Sequence, residues 1–393
     1  MSKASGGYEG VALTAPVTLP YVKSSPYGAP WFIGSALREL LKTSGLKKDQ
    51  IDGLATSSFT LRPDSTITLT EYLRLSPRWI ADLPYGGASG VIALQRAARA
   101  VQAGDADIIA CIGGDTANAE SFKKLVHDFS SFSNSSAYWY GAGGPNMAFA
   151  QITQHYMDRF GATREDFARI ALSQRHNANH FDLSLFRNKP MTREDYLSAR
   201  PIAGPVHLLD CVMPCAGAEA FLVMSTERAH HLGLAYAEIL STGELHNSFP
   251  DDPIQIRGGW AAYADEMYHK AGLGPRDMDM LQTYDDYPVI SLMQMEDLGF
   301  CEKGQGPAFL RETNLNFDGD GLPHNTCGGQ LSCGQAGSAA GYMGVVESLR
   351  QLTGQALGNP VKKAETALIS GYGMINYNRG LCSAAAILRK GGQ

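Results

Sequence analysis

The sequence predicts an α/β protein made of two equivalent halves, and two observations predict it. The turns Tyr85-Gly86-Gly87-Ala88-Ser89-Gly90 and Asn325-Thr326-Cys327-Gly328-Gly329 are each followed by a helix rich in small residues and then by an apolar strand. The first copy runs through Val91–Val101 to the strand Ile108–Gly114, the second through Gly334–Leu349 to Ala367–Gly373. Helices so rich in Ala and Gly let neighbouring backbones approach closely, which suits burial between layers better than an outer amphipathic position. Two halves facing each other would bring both Gly-rich turns to one central site.

The elements follow in order. Residues 30–46 carry Ile33, Leu37, Leu40 and Leu41 on one helical face, with Gly45 placed to end the helix. A strand at Gly53–Ser58, a helix near 66–75 and the stretch Trp79–Leu83 lead into the first Gly-rich turn. From about 116 to 205 the alternation stops, and Ser, Asn, Gly and aromatic residues take over, with helices near 145–160 and 164–180. So long an excursion inside a regular pattern reads as an inserted functional loop domain. The alternation resumes at Ala218–Ser225 and Ala235–Ser241, followed by a helix near 257–272 and the segment Met278–Phe300. No Pro/Ser/Gly linker separates the halves, which predicts one two-fold body.

A chain of 393 residues can bury two sizeable cores. A net charge of −6 with scattered Lys and Arg argues against a nucleic-acid partner. No run approaches the roughly 18 apolar residues of a membrane span. The start, Met1 to Tyr8, lacks the apolar stretch of a signal peptide, and seven cysteines is an odd number that fits reduced thiols; both point to the cytoplasm.

Taken in order, these segments resemble the thiolase superfamily, and within it the sterol-carrier-protein-2 (SCP2) type thiolases, over most of the chain. Gly87-Ala88-Ser89-Gly90 sits where thiolases carry Cys-x-[Ser/Thr]-Gly. The runs Gly143–Gly161, Phe167–Ala171 and Asp210–Ala218 resemble the loop domain and its exit. Tyr284-Asp285-Asp286-Tyr287, followed by Glu296–Phe300, matches the His-Asp-Cys-Phe block, and Asn325–Gly341 matches the Asn-Pro-Ser-Gly-Gly block and the Gly-His-Pro loop. The resemblance implies two pseudo-symmetric βαβαβαββ halves in a five-layered αβαβα arrangement. These would be residues 1–240, including the loop domain at about 116–205, and 241–393. It also implies a coenzyme A thioester as substrate with no bound cofactor or metal, a homodimer, and a small DUF35-type partner with an OB-fold and a zinc ribbon.

By the same alignment, each reactive position of such thiolases is replaced. The acylated Cys falls on Gly87, the His of Gly-His-Pro on Gln335, the His of His-Asp-Cys-Phe on Tyr284 and its acid/base Cys on Asp286. The scaffolding glycines are kept, so the pattern differs from simple decay. Steroid side-chain aldolases of the superfamily also lack the cysteine and look tyrosine-equipped at the two histidine positions; this chain shares that at Tyr284 and departs from it at Gln335.

Tyr284 and Asp286 are the first catalytic candidates. A phenol can donate to a developing enolate oxygen, and a carboxylate lifted by burial can take a proton. The plain alternative is that Tyr-Asp-Asp-Tyr only starts and caps a helix, and Asp285 reads as a loop anchor. Gln335 can orient substrate or water, but its amide is no base. Cys333, with Cys327 beside it, is the candidate for a relocated thiol nucleophile, although free cysteines are commonly small buried hydrophobes. His324, next to Asn325, is either a relocated base or, as a lone His more often is, a satisfied structural group. Gly87, Ser89, Asn325, Tyr372, Gly373 and Tyr138 are the expected substrate-lining residues. Ser89 does not complete a Gly-x-Ser-x-Gly elbow, because position 91 is Val91. Tyr138-Trp139-Tyr140 either lines an acyl pocket or packs the loop domain. Cys211/Cys215 and His176/His180 each lack a second ligand pair for a metal, and nothing after Gly113-Gly114 completes a dinucleotide fingerprint.

The expected function is an enzyme that makes or breaks a carbon–carbon bond beside a CoA thioester without an acyl-cysteine, by retro-aldol cleavage of a β-hydroxyacyl-CoA. Two alternatives stay open: an acyltransferase with a relocated nucleophile such as Cys333, and a non-catalytic acyl-CoA-binding subunit.

Overall fold

The computed structural model describes residues 7–127, 130–141 and 144–392. The readings made on Met1–Gly6 and on Gly143 fall outside these residues. Eleven strands are described: β1 (Val11–Val22), β2 (Gly53–Ser57), β3 (Trp79–Asp82), β4 (Ile108–Asp115), β5 (Pro201–Ala203), β6 (Val206–His207), β7 (Ala216–Ser225), β8 (Tyr236–His246), β9 (Met280–Gln282), β10 (Thr366–Asn376) and β11 (Arg379–Lys390). Nine of them run in the order β3-β2-β4-β7-β1-β8-β11-β10-β9, and β5 and β6 form a separate pair in the inserted region.

Apart from β3, which pairs parallel with β2 and has no counterpart beyond β9 among the described residues, the strand order reads the same way from both ends. In the first half β2 and β4 are parallel, and β4/β7 and β7/β1 antiparallel. In the second half β9 and β10 are parallel, and β10/β11 and β11/β8 antiparallel. Within the sheet, the halves pair where Ala12–Thr14 of β1 faces Tyr236–Glu238 of β8. A division at 240/241 would cut β8, the counterpart of β1; we propose that the halves divide just before Tyr236.

Five layers follow from the packing. The helix Ala29–Ser44, started by Pro30 and stopped by Gly45 in the left-handed region, covers the outer face of β1, β4 and β7. The helices Ser89–Ala103 and Ala340–Leu352 lie between the two half-sheets and touch strands of both. The helix Trp260–Ala271 covers the far side, on β8 and β11. The small residues of the central helices do what their composition predicts. A Cβ on Gly90 would overlap the carbonyl oxygen of Gly341, and one on Gly341 would lie 2.6 Å from the carbonyl oxygen of Gly86. Backbone therefore meets backbone at the centre of the molecule.

The second turn is built differently from the sequence expectation. A helix does not run from Gly334 to Leu349. A short helix, Gly329–Cys333, ends at Gly334, whose φ of 128° lies outside the helical range. A new turn at Gly337–Ala339 then opens the helix Ala340–Leu352. The two-fold mate of Gly86–Ala88 is thus Gly337–Ala339, and Asn325–Gly329 is a separate corner.

Within the inserted region lie the helices Ala119–His127, Ser131–Ser136, Pro145–Phe160 and Arg164–His180. No helix among the described residues is long and apolar enough to cross a membrane.

Candidate active site

Tyr284 stands at the centre of the molecule because its backbone is gripped from both sides. Directly after the short strand β9, Thr283 donates its N–H to Asn325 Oδ1 at 2.8 Å. Tyr284 N donates to Gln294 Oε1 at 3.2 Å, and Gln294 Nε2 returns a bond to Tyr284 O at 2.7 Å. Gln294 is in turn fixed by Ser370 Oγ on β10, 2.6 Å away. Pro288 then opens the helix Pro288–Asp297, whose Gln294 reaches back to the tyrosine.

The Tyr284 ring lies directly over Gly87. A Cβ built on Gly87 would fall inside the ring and against the carbonyl oxygen of Tyr372, closer than real Cβ atoms come to other atoms. No side chain can stand at position 87 while Tyr284 holds this place. The tyrosine fills the space that a nucleophile at the helix entrance would need.

Asp286 follows on the cleft side. Gln335 Nε2 donates to Asp286 Oδ1 at 2.6 Å and shares its other hydrogen with Gln330 Oε1 at 3.1 Å. Gln335 is held by the segment that leaves the inserted region, through Gln335 N to Met213 O at 2.9 Å and Cys215 N to Gln335 O at 3.0 Å. Burial pushes the Asp286 carboxyl up to about 7, opposed by hydrogen bonds from Tyr284 and Gln335 and reinforced by the neighbouring Asp285. Burial, and then the adjacent Asp286, push the Tyr284 phenol well above its ordinary value, so it stays protonated. The pair therefore presents a proton acceptor poised near neutrality beside a neutral donor.

The cleft holding both is a cavity of about 60 Å³. Gly87, Tyr284, Asp286 and Gln335 form its polar end, and Phe59, Phe149, Tyr372 and Met374 are among its apolar walls. Tyr287 stacks on Phe149 with ring centroids 4.1 Å apart, and Tyr372 is pinned by its hydroxyl to Gln255 Oε1 at 2.6 Å. These rings surround the charged end with low-polarity material, which is the physical source of the shifts.

The other expected site residues are distributed unevenly. Gly87, Tyr284, Asp286, Gln335 and Tyr372 meet in the cleft. Asn325 stands behind Tyr284 with φ of 43° and braces Thr283. Ser89 is fully buried and turned away; its hydroxyl donates to Leu83 O at 3.0 Å. Gly373 is packed on the carbonyl of Tyr85 and lies outside the cleft lining. Tyr138 lines a neighbouring cavity, while Trp139 and Tyr140 are 83% and 90% exposed. Cys333 is buried against Cys327 in a cluster with Tyr21 and Phe181, and burial pushes its thiol up, so the geometry offers no thiolate at the cleft. His324 is buried with Nε2 2.7 Å from Thr283 Oγ1, and burial pushes its pKa down to about 3. Among the described residues no three metal-ligating side chains converge.

Two residues that matter here were not singled out from the sequence. Gln294 fixes Tyr284, and no local pattern marks it. Asp115 closes the wholly buried strand β4 and accepts from Ser58 Oγ (2.7 Å), Phe59 N (3.0 Å), Thr60 N (2.7 Å), Thr60 Oγ1 (2.5 Å) and Ser338 N (2.7 Å). It thereby ties the cleft residue Phe59 to the turn that follows Gln335. A carboxylate ending an apolar run was the available signal.

Residues 246–387 match the thiolase C-terminal domain-like family. The chain is 29% identical over 359 residues to a steroid side-chain-cleaving aldolase of Thermomonospora curvata, covering 86% of this chain and 89% of that protein. It is 29% identical over 352 residues to the 17-hydroxy-3-oxo-4-pregnene-20-carboxyl-CoA lyase of Mycobacterium tuberculosis, covering 85% and 89%. Among solved structures, the Ltp2-ChsH2(DUF35) aldolase superposes with a TM-score of 0.83 at 27% identity, over 97% of this chain and 98% of that one. The Bacillus anthracis acetyl-CoA acetyltransferase shares the fold alone, with a TM-score of 0.72 at 15% identity over 97% and 99%. The protein has the thiolase fold. Its homologues are SCP2-thiolase-like aldolases.

Proposed function

We propose that this protein cleaves the carbon–carbon bond next to a CoA thioester in a β-hydroxyacyl-CoA, by a retro-aldol reaction with no covalent acyl-enzyme. The observation that carries the reading is the Tyr284 ring seated over Gly87, with Asp286 beside it. A retro-aldol step needs a proton acceptor and an enolate stabiliser and no nucleophile. Asp286 takes the proton of the β-hydroxyl, the Cα–Cβ bond breaks, and the β-carbon leaves as a ketone or aldehyde. The bonding pair moves into the thioester as an enolate, and the neutral Tyr284 phenol, whose one O–H is released from Asp286 once that carboxyl holds the substrate's proton, donates to the enolate oxygen. Return of the proton to the α-carbon gives the shortened acyl-CoA and restores the carboxylate. Gln335 holds Asp286 in place by its 2.6 Å bond.

The relatives support the same reading through the reactions in their names, and the Ltp2-ChsH2(DUF35) structure supports a DUF35-type partner for this chain. A homodimer is supported by the outer edge of β3, which has no strand partner among the described residues.

The test is to incubate the protein, with and without a DUF35-type partner, with a β-hydroxyacyl-CoA. The carbonyl fragment and the shortened thioester are then followed by mass spectrometry, and the intact protein is weighed. Product formation with unmodified protein is expected; a stable acyl adduct on the protein would overturn the reading. Gly87→Cys is expected to gain no acylation and to lose about 1–3 kcal/mol of stability, because the new Cβ and the Tyr284 ring compete for one space. Intact mass and thermal melting check both.

A further inference from the structure

Gln335 meets Asp286 with an amide that has two ends, and only one of them serves a base. An N–H turned to Asp286 favours the carboxylate, whereas a C=O turned to it favours the protonated acid, the form that can donate. The backbone of Gln335 is fixed on both sides, by Met213 O and Cys215 N. The side-chain amide can still rotate unless a neighbour holds it.

That neighbour is Gln330, wholly buried on the short helix Gly329–Cys333. Its backbone N and its Nε2 both donate to Asp285 Oδ1, at 3.1 and 3.3 Å. An ionised carboxylate accepts and never donates, so Gln330 must turn its N–H group to Asp285 and its Oε1 the other way. That Oε1 accepts from Gln335 Nε2 at 3.1 Å, and the same Nε2 reaches Asp286 Oδ1 at 2.6 Å. Reversing Gln335 would set its Oε1 against Gln330 Oε1 and Asp286 Oδ1, two pairs of acceptors facing each other. Reversing Gln330 as well would set an oxygen against Asp285. The polarity of the whole row, from Asp285 through Gln330 and Gln335 to Asp286, is therefore decided at its rear end.

We propose that Gln330 is a positioning residue, which holds the Gln335 amide with its N–H group toward Asp286 throughout the proton transfer. The inference rests on the aldolase reading above and deepens it. Once Asp286 has taken the substrate's proton, an untethered Gln335 would turn its C=O to the new acid and retain the proton there. The tie to Gln330 keeps the acid ready to return it. The titratable groups that act on Asp286 or feel its charge are Tyr284, Asp285 and Tyr287 on its own segment, Tyr372 on β10 and Cys211 on the segment leaving the inserted region. Burial pushes the three phenols and the thiol up, so they stay protonated near neutrality, and of these groups Asp285, lifted to about 6, changes charge closest to Asp286.

The experiment is a pH titration of the Asp286 carboxyl by carbon-13 NMR of the aspartate-labelled full chain, the resonance being assigned by its loss in Asp286→Asn. The midpoint is expected at about 7 in the natural chain and about one pH unit higher in Gln330→Met, a roughly tenfold gain in proton affinity. Gln174→Met takes one donor from the same Asp285 without touching Gln335, and is expected to leave the midpoint in place. Adding Gln330→Met to Gln335→Met is expected to move it no further than Gln335→Met alone. Should Gln330→Met fail to fold, Gln330→Leu reads the same shift. A midpoint unmoved by the Gln330 substitution, or moved equally by Gln174→Met, overturns the proposal. Cleavage of a β-hydroxyacyl-CoA over the same pH range separates the two readings. A shifted titration with no cleavage, or with an acid limb of kcat/KM that stays in place, keeps the positioning role and sinks Asp286 as the base; cleavage with an unmoved titration does the reverse.

Discussion

Behind Tyr284 and in front of it stand two consecutive carboxylates with opposite surroundings. On the rear side, Asp285 accepts from Gln330 N, Gln330 Nε2, Leu331 N and Gln174 Nε2 at 2.9–3.3 Å. On the cleft side, Asp286 has the Gln335 amide, the Tyr284 phenol and open space. Both are lifted by burial, to about 6 and about 7. A saturated carboxylate holds structure together, because every lone pair is committed to a fixed donor. An undersaturated one facing a cavity can still accept a proton from a ligand. The number of donors, more than the degree of burial, separates the anchor from the proposed base.

The comparison breaks most sharply at Asp286. Asp286→Asn is expected to lower kcat by about 10²–10⁴-fold, the usual worth of a general base, with little change in thermal midpoint. Steady-state turnover beside a melting curve reads both, and an unimpaired variant would return the segment to a purely structural role. Next in size is Tyr284→Phe, with an expected loss of about 10²–10³-fold in kcat and a nearly constant KM, because the phenol serves the charge that develops during bond breaking. A change in KM alone would mean that the ring only lines the cleft.

Asp285→Asn sharpens the contrast from the rear side. An amide nitrogen placed among four donors leaves at least one unpaired, at a cost of about 1–3 kcal/mol, so stability is expected to fall before activity does. Denaturant unfolding measures it, and a loss confined to kcat would contradict the division of labour.

The smallest effect is in the pH dependence. Asp286 must be ionised to act, so kcat/KM is expected to rise with pH up to about 7 and then level. Stability moves the other way. A carboxyl whose folded pKa of about 7 exceeds its unfolded value near 4 binds more protons when folded, so its contribution shrinks as pH rises from about 4 to 7. Asp285 adds the same slope up to about 6. A melting series from pH 4 to 8 should therefore decline more steeply for the natural chain than for Asp286→Asn; equal slopes would place the titrating group elsewhere.

Much of the fold was legible because it rests on local period and composition. The apolar run at β4, the Gly45 stop and the Ala/Gly-rich central helices each report a nearby physical demand. Strands β1 and β11 were not read, although both are largely buried. Their sequences carry Pro, Thr and Ser among small apolar residues, and their place is fixed by partners about 200 residues away or by a hairpin mate. The sequence places the second turn ten to twelve residues early, at Asn325–Gly329 instead of Gly337–Ala339. Asn325–Gly329 has the glycines of a helix entrance, but the chain breaks again at Gly334 before the true entrance at Gly337.

For the site, the sequence by itself determined which chemical groups are available at the aligned positions: a phenol at 284, a carboxylate at 286, an amide at 335 and no side chain at 87. It also determined that two small-residue helices would meet closely, since only Gly and Ala allow backbones that near. Only the tertiary structure decided which groups share a space. It put the Tyr284 ring where a side chain at 87 would be, turned Ser89 away, and sealed Cys333 into another cluster. It also divided donors unequally between Asp285 and Asp286, two residues the chain presents side by side. The reason is that composition sets what a residue can donate, accept or fill, whereas proton affinity and reach are set by neighbours brought together across the fold, and those neighbours are invisible to any local pattern.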